Sequence, residues 1–146
     1  MTNPNEFPEK VYQFVFDNWT AAGVDKNTDV FWKSWYTGRK DISIFFSELI
    51  TLPVPVSIPW YKWDYRTYID IWIHVTDKSG NYPARMEAIR SSIETAINSN
   101  PSGLEPEGIG MMKIDSFSPS NGFDEDYQND VYKLLIRVQL LLVKNF

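Results

Sequence analysis

The chain has no cysteine and one histidine in 146 residues. The first absence removes disulfides, thiolate metal sites and cysteine nucleophiles together, and it fits an intracellular origin. The second leaves His74 as the sole imidazole for proton transfer or metal ligation. No stretch approaches the roughly 18 consecutive apolar residues of a membrane-spanning helix. The opening MTNPNEFPEK has no basic segment leading into an apolar one, so no secretory signal is expected. The sequence also lacks HExxH, a phosphate-binding P-loop, GxGxxG and a DxDxDG loop. A last gap is local. Between Ile114 and Tyr132 there is no Lys or Arg, while Asp115, Asp124, Glu125, Asp126 and Asp130 all fall there. Those five acids equal the whole net charge of -5, because the other 14 acids are matched by 14 Lys and Arg. A general nucleic-acid binder shows the opposite bias. An acidic run such as FDEDYQND reads most simply as a solvated loop; the alternative is a charged surface facing a polyanion or a basic partner.

What is present is apolar and aromatic. Hydrophobic residues make up 43% and charged residues 23%, enough for a buried core in a single domain spanning 1–146. Aromatics reach 16% and cluster in WYKWDYRTYIDIWIHV, residues 60–75, which holds Trp60, Tyr61, Trp63, Tyr65, Tyr68 and Trp72. These six are the candidate contact residues, either as a platform for sugar rings or bases or as a hairpin covered by another protein.

Periodicity sorts the chain into elements. PEKVYQFVFDNW sets Pro8 in a first turn and repeats Val11, Phe14, Val15 and Trp19 at helical spacing, predicting a helix over 8–20. TAAGVDKNTDVFWKSWYTGRKD reads as a long connection that packs through Phe31, Trp32, Trp35 and Tyr36. ISIFFSEL predicts a strand over 42–49. TLPVPVSIP is extended, but its prolines bar it from a central strand. From Thr67 the pattern alternates: Thr67, Ile69, Ile71, Ile73 and Val75 face a core, and Tyr68, Asp70, Trp72 and His74 face away from it. DKSGNYP is a turn. PARMEAIRSSIETAINSN carries Met86, Ile89, Ile93 and Ile97 as one apolar stripe, a helix lying on a sheet. NPSGLEPEGIG is a loop, MMKIDSF a third strand, and SPSNGFDEDYQND another loop. DVYKLLIRVQLLLVKN closes as a strand with Tyr132, Leu134, Ile136, Val138, Leu140 and Leu142 on one face, while Lys133, Arg137 and Gln139 mark the other. The expected fold is α+β, in the order α-β-β-α-β-β. Helices pack on one face of a mostly antiparallel four-stranded sheet, and an arm projects at about 50–66.

No chemistry stands out. A lone histidine in mid-strand is commonly structural, and no motif sets a Ser or Asp beside it as a triad. Asp64, Asp70 and Asp115 offer three carboxylates, a coincidence that any acidic chain provides. No catalytic, metal or cofactor residues are assigned, and no enzyme activity is expected.

The order of elements resembles the tail terminator, or tail completion, proteins of long-tailed phages and tailed archaeal viruses. The resemblance covers nearly the whole chain. It runs from a leading helix to a strand pair ending in YIDIWIHVTD, through a short turn into ARMEAIRSSIETAINS, and on to the pair MMKIDSF and YKLLIRVQLLLV. No diagnostic motif accompanies it, and the Pro- and Trp-rich segment 52–65 departs from the pattern. The resemblance implies a structural virion protein in the tail or neck, assembled in the host cytoplasm, without cofactor. Its partners would be further copies of itself in a ring, expected to be hexameric, then the tail tube protein and the head–tail connector protein. No membrane is implied, and DNA would be only passing cargo. Asp124, Glu125 and Asp126 would then face the lumen or the next ring. The alternative is a carbohydrate- or peptide-binding module using the aromatic segment 60–65.

Overall fold

The computed structural model describes residues 4–32, 42–50, 54–55, 65–76, 82–124 and 129–142. After a 3-10 turn over Pro4–Glu6, helix α1 spans Phe7–Asp17, with Pro8 in its first turn. It stops three residues earlier than periodicity predicts. Both the backbone N–H and the side-chain Nδ2 of Asn18 donate to the Phe14 carbonyl, at 3.1 and 2.9 Å. A short polar side chain that satisfies a terminal carbonyl ends the helix there. Phe7, Val11, Phe14 and Val15 form the buried face.

The predicted connection after α1 contains a strand. β1, Val30–Trp32, runs parallel to β2, Ile42–Phe46. Three residues are too few for an alternating pattern to show, so sequence periodicity could not reveal it. The expectation that the segment packs is met at Trp32. Its ring centroid lies 5.4 Å from that of Phe16 and 5.3 Å from that of Trp19, both edge-on. Its indole N–H donates to the Lys26 carbonyl at 2.7 Å. Lys26 closes the cluster: its ammonium donates to the Phe16 carbonyl at 2.7 Å and sits 4.4 Å over the Phe16 ring. Trp32→Phe keeps the apolar contact and removes the hydrogen bond. The expected loss is about 1 kcal/mol, a drop in melting midpoint of roughly 2–4 °C. An unchanged midpoint would show that the indole N–H contributes nothing.

β3 is the pair Val54–Pro55 and β4 is Tyr65–Thr76. β4 thus begins two residues before the alternation predicts, because Tyr65 and Arg66 pair with Pro55 and Val54 on one side and with Leu142 and Leu141 on the other. Pro55 sits at a sheet margin, the position a residue without an N–H tolerates. Trp60, Tyr61 and Trp63 and most of the expected arm lie outside the described residues.

Helix α2 spans Tyr82–Ser99 and buries Ile89, Ile93 and Ile97. Met86, the first residue of the predicted stripe, is only half-buried. A 3-10 turn over Glu105–Glu107 and a left-handed Gly108, φ 97°, lead into β5, Ile109–Asp124. β6 is Asn129–Leu142. Here the predicted loop SPSNGFDEDYQND is corrected: its first seven residues are strand. Pro119 misled the reading, but β5 is an edge strand, where proline is accepted.

The sheet is therefore mixed, not four-stranded and antiparallel. Its order is β1-β2-β4-β6-β5, with β3 beside the start of β4, and the β1–β2 pair alone is parallel. The α+β class and the main element order stand. One core holds the apolar faces of both helices against Ile42, Ile44, Ile69, Ile71, Ile73, Val75, Ile136, Val138 and Leu140, so both helices cover the same face.

Candidate functional site

The face turned away from the helices is the surface the sequence marks for contact. Strand register builds it as rows running across the sheet. Phe45 of β2 lies opposite Trp72 of β4, Trp72 opposite Leu135 of β6, and Leu135 opposite Ser118 of β5. Phe45, Trp72 and Leu135 are all half-buried. Apolar groups directly opposite one another on neighbouring strands pack side by side, so the three make one continuous apolar band. Two rows further on, Tyr68 lies opposite Gln139, whose Nε2 donates to the Tyr68 hydroxyl at 3.3 Å.

Between these rows sits an ion pair. Arg137 grips Asp70 in a fork, Nε to Oδ1 at 2.8 Å and Nη2 to Oδ2 at 3.0 Å. The Asp70 side chain is 5% exposed and that of Arg137 39%. The partners differ in depth: the carboxylate is sunk and the guanidinium lies over it toward solvent. The Asp70 hydrogen bond, and then its charge, raise the Arg137 pKa above the ordinary arginine value. The pair fixes β4 against β6 and separates Tyr68 from Trp72. The other side of the Trp72 row holds Ser43 and His74, in direct register and each 2% exposed. His74 was expected on the face turned away from the core, yet it and Ser43 are both buried. Ser43 Oγ has no hydrogen-bond partner among the described residues. A serine and a histidine side by side invite a nucleophilic reading, but burial gives the pair no path to a substrate.

Of the predicted contact residues, Tyr68 and Trp72 lie on this face. Tyr65 is the first residue of β4 and packs against the core cluster, so it is not part of an arm. Asp124 ends β5 instead of lying in a loop, and Glu125 and Asp126 are outside the described residues. Of the three carboxylates, Asp70 is committed to Arg137, Asp115 is exposed at an irregularity of β5, and Asp64 is outside the described residues. Among the described residues, no three His, Cys, Asp or Glu side chains come together as a metal site. No described helix is long and apolar enough to cross a membrane.

Phe45 and Leu135 escaped the sequence reading, although each carried a signal. Phe45 falls out of phase with Ile42, Ile44 and Phe46, and Leu135 is apolar between Lys133 and Arg137 on the face expected to be polar.

No protein-family model matches the chain, and no curated protein matches it.

Proposed function

We propose that the chain is a structural virion protein of the tail-terminator type. It assembles into a closed ring at the head-proximal end of a tail tube, ends tube growth and joins the tail to the head connector. The Phe45–Trp72–Leu135 band carries this reading. Half-buried aromatic and aliphatic side chains spanning three strands are a surface that a neighbouring subunit can bury further with gain. The main element order, α1, β2, β4, α2, β5, β6, supports the resemblance on which the reading draws. The acidic run 124–126 suits a lumen along which DNA phosphates pass without sticking, because like charges repel.

The test is functional. Added to polymerising tube protein of the same virus, the chain should cap tube ends and shorten the tubes, with annular particles at one end in electron micrographs. The Trp72→Glu variant should keep its fold and lose the capping. Tubes of unchanged length in the presence of the folded wild-type chain would overturn the proposal. Glycan or peptide binding without assembly would favour the binding-module alternative.

A further inference from the structure

Among the described residues two strands bound the sheet, and they differ. β1 is short, Val30–Trp32. β5 is long, 16 residues over Ile109–Asp124, and pairs with β6 on one side and with no described strand on the other. Lys113 and residues 115–120 are exposed, so that outer side is open to solvent. A long open edge presents a row of unpaired N–H and C=O groups onto which another strand can add. A second copy of the chain brings the same edge, so edge-to-edge pairing is the immediate hazard.

The backbone of β5 is interrupted as a template in three places. Its register against β6 slips between Ile109 and Met111 and again between Ile114 and Ser116. At such a slip an extra residue bends the strand and increases its twist, turning the edge away from a straight partner. Pro119 is the third interruption. It keeps its place in the ladder opposite Leu134. A residue without an N–H does so only where its nitrogen points away from the partner strand. Pro119 therefore faces the open edge with a ring where a donor would be. Direction alternates along an antiparallel strand. The amides of Phe117 and Asn121 thus point outward with Pro119, and that of Ser120 points to β6. The regular pieces left are 111–114, 116–118 and 120–124. All are at or below the usual strand length of about five residues. The exposed large apolar side chain on this edge, Phe117, is guarded as well. The Arg90 guanidinium lies 5.6 Å over its ring and is held by Glu87 and Glu94. A strand that covered Phe117 would draw those charges from water, at a cost.

We infer that the bulge between Ile114 and Ser116, together with Pro119, is a built-in stop against strand addition, which keeps copies of the chain from polymerising edge to edge through β5. The inference stands apart from the ring reading: it names a contact that is denied, and it holds with or without a ring. In a ring, neighbours would meet through faces rather than through one continued sheet.

Amide exchange and native mass, both without tube protein, test it. In the wild type the amides of Phe117 and Asn121 should exchange freely at every concentration, while that of Ser120 is protected by β6. Pro119→Val restores the missing donor and removes the ring. It should associate at least about tenfold more tightly than wild type, in species whose mass grows with concentration and in which the Phe117 and Asn121 amides become protected. Ser120→Val adds the same apolar side chain at a position whose amide already serves β6, and it should behave as wild type. Protected Phe117 and Asn121 amides in the wild type would mean that the edge is already occupied, and would overturn the inference even if Pro119→Val failed to fold. A folded Pro119→Val variant with wild-type mass and exchange would overturn it too. So would a Ser120→Val variant that associates equally, because added apolar surface and not the missing donor would then be the cause.

Discussion

Arg137→Ala should destabilise the fold by about 3 kcal/mol, whereas Asp70→Ala should cost only about 1 kcal/mol. The asymmetry follows from depth. Removing Arg137 strands a carboxylate whose side chain is 5% exposed, in mid-sheet between β2 and β6. Removing Asp70 frees a guanidinium whose side chain is already 39% exposed and can turn to water. The estimate for Arg137→Ala lies at the low end for a broken buried pair, since solvent already reaches one partner. The double variant should recover part of the Arg137→Ala loss, because no charge is then left buried. Urea unfolding of the three variants measures this directly. Equal losses for the two single variants would mean that the difference in depth has no energetic consequence.

The second large effect is in the core. Ile136→Ala should cost roughly 2–5 kcal/mol through lost burial and the cavity left behind, lowering the melting midpoint by on the order of 10 °C. Ile136 is fully buried at the centre of β6, between Ile71 of β4 and Phe117 of β5 in register. Neighbouring strands hold its surroundings from both sides, so collapse into the cavity is limited. A loss below about 1 kcal/mol would mean that the site relaxes freely, against the packing described.

These two sites show what the sequence made legible. Ile71 and Ile136 sit in clean alternations, and period two assigned them to the core without reference to any partner strand. Asp70 and Arg137 were both assigned to the opposite face, but their pairing was not legible. It depends on the register of strands far apart in the chain, set by the whole sheet. The same limit explains β1: three residues, Val30–Trp32, become a strand only because Ile42, Ser43 and Ile44 lie alongside to pair with them. Pro119 is the opposite case. A true local rule, that proline breaks ladders, suggested a loop where the strand in fact lies at an edge and need not donate outward. His74 was read as structural from its isolation, and its burial could not be foreseen because the pattern showed only that it faced away from the aliphatic side. In the candidate site, Tyr68 and Trp72 were legible as members of one face, whereas the band they help form needed Phe45 and Leu135 from other strands.

The proposed function turns on self-assembly, and the native mass of the wild-type chain in solution tests it most directly. Light scattering across a wide concentration range, in the presence and absence of tube protein, should reveal a closed species near six times the 17.0 kDa protomer. A mass that stays at one protomer throughout, tube protein included, would contradict it.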